Sequence, residues 1–282
     1  MKIGILTCMW RRPEVFRIFA AGVNRLKEKF DIVTLSVGSE GSRSMKLCQE
    51  AGINYLEFPN KPLGAKFNAG MYVMKSFDPD YVMIMGSDDL LSTATFEKIH
   101  EYCLQGKEMI GFTDLYFFDL YDKKLVYWPG YGNRGTKADN NRKGEAIGLG
   151  RTLSRAILTK LNWQPWRSDA NSGLDWWMTQ RLKILKASPT VFSLKENGLF
   201  AVDLKSKENI CHSLLYTCDK VDNTLLASHL TEKEIKSIFN YRDQYVKQTW
   251  GVRQNLQGKL QVFMPLFSEC LLSYLEESSG IY

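Results

Sequence analysis

Two adjacent carboxylates, Asp88 and Asp89, close the apolar run of the stretch "DYVMIMGSDDLLS". Carboxylates about 4 Å apart repel unless a positive charge lies between or beside them. A divalent cation carrying a phosphate meets that condition. The structural alternative is a turn in which Asp88 and Asp89 cap the next helix. Just upstream, "NKPLGAKFNAGM" sets a turn with Pro62 and Gly64 and places Lys66 and Asn68 in the first turn of a helix. Free backbone N–H groups and the helix dipole favour an anion there. The GKS or GKT ending of a Walker loop is missing, and a solvated helix lysine is the plain alternative for Lys66. Further along, "NSGLDWWM" puts Asp175 at a helix start beside Trp176 and Trp177. A carboxylate there either steadies the helix N-terminus or serves as a proton acceptor.

The elements that must position these residues follow from periodicity. Ile3 to Thr7 reads as a strand, and "PEVFRIFAAGVNRLKEKF" as a helix with Pro13 in its first turn and Val15, Phe16, Phe19, Val23 and Leu26 on one face. "DIVTLSVG" is a second strand, "SRSMKLCQEAG" a helix ended by Gly52, and "INYLEFP" a third strand. "LGAKFNAGMYVMKSF" is a helix, and "YVMIMG" a fourth strand with no helical period, as for a strand buried on both faces. This alternation implies right-handed crossovers and a doubly wound, mainly parallel sheet. Asp88 and Asp89 then lie at a carboxyl end, where open α/β sheets place their ligands. After the helix "TATFEKIHEYC", the Asp122-Lys123 turn between two aromatic runs predicts a hairpin. The polar, aperiodic segment from Gly130 to Ala146 is long for a compact domain and reads as a functional loop or an insertion. "RTLSRAILTKL" and "GLDWWMTQRLKILK" read as helices and "GLFAVDL" as a strand. The stretches from Thr231 onward read as a helical C-terminal appendage.

"LGAKFNAGM" followed by "DYVMIMGSDDLL" resembles the signature of GT-A-fold glycosyltransferases, particularly the inverting, family 2-like enzymes. The resemblance covers roughly residues 1 to 215 and implies a GT-A domain at 1–215 with a helical appendage at 216–282. It implies that Asp89, with Asp88 beside it, holds Mn²⁺ or Mg²⁺ on the diphosphate of a nucleotide sugar; such ions are commonly bound by one or two carboxylates plus substrate phosphates. Ser87 stands where a strict Asp-X-Asp has its first acid. By the same resemblance Thr7 contacts the base, Arg11 or Arg12 lies near the ribose or phosphate, and Glu40 takes the place of the acid that binds base or ribose. Lys66, Asn68 and, later, Lys205 and Asn209 would reach the diphosphate, and His212 would be a further metal ligand, against the alternative of a structural histidine. Asp175 matches the general base that removes the acceptor hydroxyl proton, with Trp166, Trp176 and Trp177 as surfaces for the acceptor's sugar face. Gly148 and Gly150 allow close backbone approach, and Gly150-Arg151 resembles the loop beside donor and acceptor in related transferases.

Composition narrows the alternatives. A hydrophobic content of 44% and charge of 24% describe an ordinary globule, and a net charge of +6 without a dense basic run leaves no nucleic-acid footprint. The six cysteines show neither a CxxC pair nor zinc spacing, as for reduced thiols in a cytoplasmic protein. The N-terminal apolar run is too short for a signal peptide and no segment is long enough to span a bilayer, which leaves only a peripheral membrane contact open. The partners implied are a nucleotide-diphosphate sugar donor and a carbohydrate or other hydroxyl acceptor. A nucleotidyltransferase shares such a sheet and metal, but follows strand one with a Gly-rich basic loop, whereas "TCMWRRP" has no glycine. The other rival is a decayed glycan- or nucleotide-binding protein, against which the intact Asp88, Asp89 and Asp175 speak.

Overall fold

Four short apolar strands, β1 (Ile3–Cys8), β2 (Ile32–Gly38), β3 (Asn54–Glu57) and β4 (Tyr81–Ile84), alternate with helices α1 (Pro13–Lys27), α2 (Ser42–Glu50) and α3 (Leu63–Met74). The computed structural model describes residues 1–132, 141–207 and 218–241. β1 pairs in parallel with both β2 and β4, and β2 with β3. The spatial order β4-β1-β2-β3 leaves a topological switch point between β1 and β4, whose carboxyl ends carry Met9–Arg12 and Gly86–Asp88 respectively. The strand residues alternate between two apolar layers. Ile3 and Ile5 pack with Phe16, Phe19 and Val23 of α1 and with Phe96 and Ile99 of α4 (Thr93–Leu104). Leu6, Leu35, Val82 and Ile84 pack with α3 on the opposite face. Both faces are covered, as the continuous apolar run of β4 requires.

The rest of this sheet departs from the sequence reading. "RTLSRAILTKL" does not begin as a helix: Thr152–Ser154 form β9, inserted antiparallel between β4 and β6 (Met109–Phe112), and only Arg155–Lys160 are helical (α5). Two open strand edges on either side supply hydrogen-bond partners that outweigh helix propensity. Ser154 then caps α5 by accepting from the Ile157 N–H at 3.3 Å. β10 (Pro189–Phe192), too short and too proline-marked to read from sequence, adds in parallel to β6. The sheet is therefore seven-stranded and mixed, with four parallel pairings out of six.

A second sheet of five strands runs β12-β8-β7-β11-β5. The anticipated hairpin is present as β7 (Leu115–Asp119) and β8 (Lys124–Trp128). β11 (Ala201–Lys205) lies parallel to β7 and antiparallel to β5 (Asp89–Leu91), and β12 (Asp219–Val221) closes the edge on β8. Asp114, buried where the chain passes from β6 to β7, accepts from the Tyr127 hydroxyl at 2.9 Å, the Ser193 hydroxyl at 2.6 Å and the Leu194 and Lys195 N–H groups at 2.5 and 3.1 Å. Those four bonds fix the angle between the sheets. Beneath the second sheet, Leu226 of α7 (Thr224–His229) and Ile238 of α8 (Glu232–Phe239) join Val15 and Ile18 of α1 in a third apolar cluster. Arg25 locks this layer by donating to Glu234, Thr93 and the Leu91 carbonyl at 3.0, 2.5 and 2.6 Å. No helix among the described residues is long and apolar enough to cross a membrane. Cys8, Cys48, Cys103 and Cys218 are free thiols.

The segment leading to α6 (Leu174–Ile184) is held to α3 by the Leu63, Gly64 and Ala65 N–H groups, which donate to Asn171 Oδ1 and the Ala170 and Ser168 carbonyls, and by the Asn68 side chain. Asn68, 0% exposed, donates to the Trp166 carbonyl at 2.9 Å and the Ser168 hydroxyl at 3.1 Å, and accepts from the Trp166 N–H at 3.1 Å. Replacing it leaves the Trp166 N–H without this acceptor, while the Trp166 carbonyl keeps the Arg181 guanidinium at 3.2 Å. Asn68→Ala is expected to lower unfolding free energy by about 2–3 kcal/mol, measured by urea denaturation; an unchanged midpoint would show that the clamp contributes nothing.

Candidate functional site

Four carboxylates face one cavity of about 210 Å³, where the switch point of the first sheet meets the face of the second. Asp88, Asp89 and Asp203 line one part of it and Asp175 another, with Phe117, Trp128 and Tyr131 as aromatic walls and Gly148 and Lys205 between. Ligand atoms of Asp88, Asp89 and Asp203 all lie within 4.8 Å of one another. The helix-cap alternative for Asp88 and Asp89 fails, because Ser92 caps α4 by accepting from the Thr95 N–H at 3.1 Å. Asp89 instead opens β5, where its Cα registers opposite Asp203 of β11.

The triad is electrostatically tense. Burial first, then the charges of Asp203 and Asp88, push the Asp89 carboxyl well above the usual range. Asp203 is pushed up to about 6, mainly by burial, with Lys205 opposing and Asp88 adding to the rise. Two cations answer three anions. Arg12 donates to Asp88 at 2.6 Å and to the Ser87 hydroxyl at 3.3 Å, while Lys205 pairs with Asp203 at 2.5 Å and lies 4.7 Å over the Phe117 ring. The buried Asp203 Oδ1 has no hydrogen-bond partner. An orphaned buried carboxylate oxygen facing two more carboxylates is a hard, all-oxygen donor set, which fits Mn²⁺ or Mg²⁺.

Asp175 sits in the first turn of α6, after Gly173 in the left-handed conformation. Its carboxylate lies against the Cα of Gly148: a Cβ there would fall 2.4–2.7 Å from the carboxylate atoms. Beneath it, fully buried Arg151 donates to the Asp175 carbonyl at 3.0 Å, the Thr179 hydroxyl at 3.2 Å and the Ala146 carbonyl at 2.5 Å. Arg151 therefore props the helix that carries Asp175 through its two terminal nitrogens, while its buried Nε has no hydrogen-bond partner among the described residues. Gly150 likewise serves the turn, with φ at +72° and the Phe112 ring 2.5 Å from any Cβ.

Several expected ligand contacts are displaced by structural ones. Lys66 is 1% exposed, and its ammonium donates to the Met9 carbonyl at 2.9 Å, Asn60 Oδ1 at 3.1 Å and the Ser39 hydroxyl at 3.4 Å. It staples the turns after β1 and β2 to α3 and does not line the cavity. Burial lowers its pKa, against the opposing charges of Cys8, Glu57 and Glu40. Asn68 clamps the Trp166 backbone, as described above, and Trp166 is buried with its ring 4.9 Å from that of Phe67, so neither meets a ligand. Thr7 is fully buried within β1. Arg11, at φ +50°, turns outward over the Trp10 ring at 4.2 Å while its N–H donates to Glu40 at 2.8 Å, so Arg12 alone of the pair reaches the acids. Trp176 is 41% exposed and edge-on to Trp177 at 4.6 Å, with Arg167 stacked 4.7 Å over Trp177.

Asn209, His212, the middle of the Gly130 to Ala146 segment and the helical stretches expected after 241 lie outside the described residues. The residue that sequence reading missed is Asp203. Its signal was a charge within "AVDLK", two positions from Lys205 and so on the same strand face, opposite the apolar Val202 and Leu204.

No protein-family model matches the chain, and no curated protein matches it by sequence. Solved structures match in fold. S. aureus TarS superposes with a TM-score of 0.50 at 11% identity over 74% of this chain and 37% of that one. A mannosyltransferase, PcManGT from Pyrobaculum calidifontis in complex with GDP-Man and Mn²⁺, does so with a TM-score of 0.50 at 11% identity over 96% of this chain and 68% of that one. The chain spans between 37% and 61% of the TarS chains it matches. At such identities the likeness is one of fold, and the two sheets and their flanking helices are consistent with a GT-A fold.

Proposed function

We propose that this chain is an inverting glycosyltransferase, moving a sugar from a nucleotide-diphosphate donor to an acceptor hydroxyl with the help of a divalent metal. The observation that carries the reading is the division of one small cavity between a three-carboxylate group and a separate carboxylate, Asp175. Sugar transfer makes these two demands at once: negative charge develops on the leaving diphosphate while the acceptor hydroxyl must lose a proton. The GDP-Man and Mn²⁺ of the Pyrobaculum neighbour support the donor class and the metal.

In this reading Asp88, Asp89 and Asp203 hold Mn²⁺ or Mg²⁺, which offsets charge on the diphosphate as it leaves. The nucleotide lies across the carboxyl ends of β1 and β2, near Arg11, Arg12 and Glu40. Lys66 acts at one remove by fixing the turns that the nucleotide meets. Lys205 keeps Asp203 ionised through its ion pair and adds positive charge beside the triad. On the acceptor side Asp175 takes the hydroxyl proton, and the close approach of Gly148 gives its carboxylate room. Trp128 and Tyr131 wall the cavity and Trp176 offers an exposed ring at the start of α6. The direct test is incubation with a panel of nucleotide sugars and Mn²⁺, reading nucleoside diphosphate release; no release from any donor would contradict the assignment.

Asp175→Asn is expected to slow transfer about 10²- to 10⁴-fold while leaving donor binding nearly unchanged. Gly148→Ala should fold, because the crowded atoms are the end of a side chain, yet shift that carboxylate and lose transfer in the same way. Full activity in Asp175→Asn, or a retained anomeric configuration in the product, would place the base elsewhere.

A pH dependence follows from Asp203. Its folded value, about 6, lies above the ordinary 3.8, so the folded state binds more protons between those values. In the metal-free protein this contribution to stability is present at low pH and lost as pH rises through about 6. Protons and metal compete for the same carboxylates, so Mn²⁺ should raise the melting temperature clearly at about pH 7.5 and little at about pH 5. An equal shift at both would remove Asp203 from the metal's ligands.

A further inference from the structure

Arg12 stands where its charge conflicts with its own helix. It is the N-cap of the fifteen-residue α1, with Pro13 at the first helical position and no side-chain cap. The positive end of a helix dipole disfavours a cation and favours an anion. The guanidinium is held there by Asp88 at 2.6 Å and the Ser87 hydroxyl at 3.3 Å. Asp88 is one of the three carboxylates whose oxygens converge within 4.8 Å. Any cation drawn to the triad through Asp88 therefore competes with Arg12.

We infer that Arg12 is an exchangeable counter-ion, occupying Asp88 in the empty site and passing to the nucleotide diphosphate when a divalent cation takes its place on the triad. This rests on the reading of Asp88, Asp89 and Asp203 as a divalent-cation site. In the structure Arg12 and Lys205 are paired with Asp88 and Asp203, two of the three converging carboxylates. A divalent cation added beside these two cations concentrates positive charge at the triad, which an anion arriving with it offsets. A diphosphate supplies the anion, and at the N-terminus of α1 it meets both the released guanidinium and unpaired backbone N–H groups. Metal and diphosphate thus bind better together than apart, and by linkage each must raise the affinity of the other by the same factor.

The sign of one mutational effect distinguishes this role from that of a simple nucleotide ligand. A ligand residue has no influence on metal binding in the absence of nucleotide, whereas a competing counter-ion weakens it. Calorimetric titration of Mn²⁺ alone into Arg12→Gln should give affinity about tenfold tighter than in the unaltered protein. Titration of UDP and of GDP at saturating Mn²⁺ should show the variant weaker for whichever nucleotide binds, with a smaller mutual enhancement. Arg12→Lys, which keeps the charge but not the forked contact, should fall between, and guards against misfolding of the first variant. Equal or weaker Mn²⁺ affinity in a folded Arg12→Gln would overturn the counter-ion role while leaving the metal site standing. Absence of Mn²⁺ binding from both proteins would overturn the metal reading and this inference with it.

Discussion

Three carboxylates whose ligand atoms converge within 4.8 Å, two of them buried, are the constraint around which this protein is organised. Burial and the neighbouring carboxylates raise the affinity of Asp89 and Asp203 for protons, and among the described residues Arg12 pairs with Asp88 and Lys205 with Asp203. No fold places such charges together without a large opposing term. Here that term is the packing of two sheets. β4 delivers Asp88 and Asp89 at the switch point, β11 brings Asp203 into register with Asp89, and the apolar clusters on both sides hold the strands in place.

The two sheets divide the labour. The parallel half of the first positions the ends of β1 and β2, which Lys66 staples to α3. The second sheet supplies the floor of the cavity through β5, β7, β8 and β11. Asp175 enters from neither sheet. It rides on a helix whose start is fixed from below by Arg151 and whose approach is tied to α3 by Asn68. Its support is thus independent of the strands that carry the triad.

How much of this was legible in the sequence depended on whether the signal was local. The βα alternation of the first ninety residues, the Asp122-Lys123 hairpin and the carboxylates after β4 are all written in short-range periodicity and turn chemistry, and the structure shows each of them. β9 was not, because three residues ahead of a helix become a strand only when two partner edges exist in space. Asp203 was hidden for the same reason: its role arises from a pairing across more than a hundred residues. Lys66 and Asn68 illustrate the opposite error. Both lie on α3, Lys66 in its first turn as expected but Asn68 a turn further in, and residue type cannot tell whether an ammonium or amide faces a ligand or the protein itself; here both bond neighbouring protein groups.

The account stands most directly on the triad acting as one cation site beneath a diphosphate. Crystals grown with Mn²⁺ and UDP or GDP, measured at the manganese absorption edge, test it in a single experiment. The predicted result is one anomalous peak within coordination distance of carboxylate oxygens of Asp88, Asp89 and Asp203, about 2.0–2.3 Å, with diphosphate oxygens completing the shell. Nucleotide bound with no manganese at these three residues, or manganese held elsewhere, would contradict it.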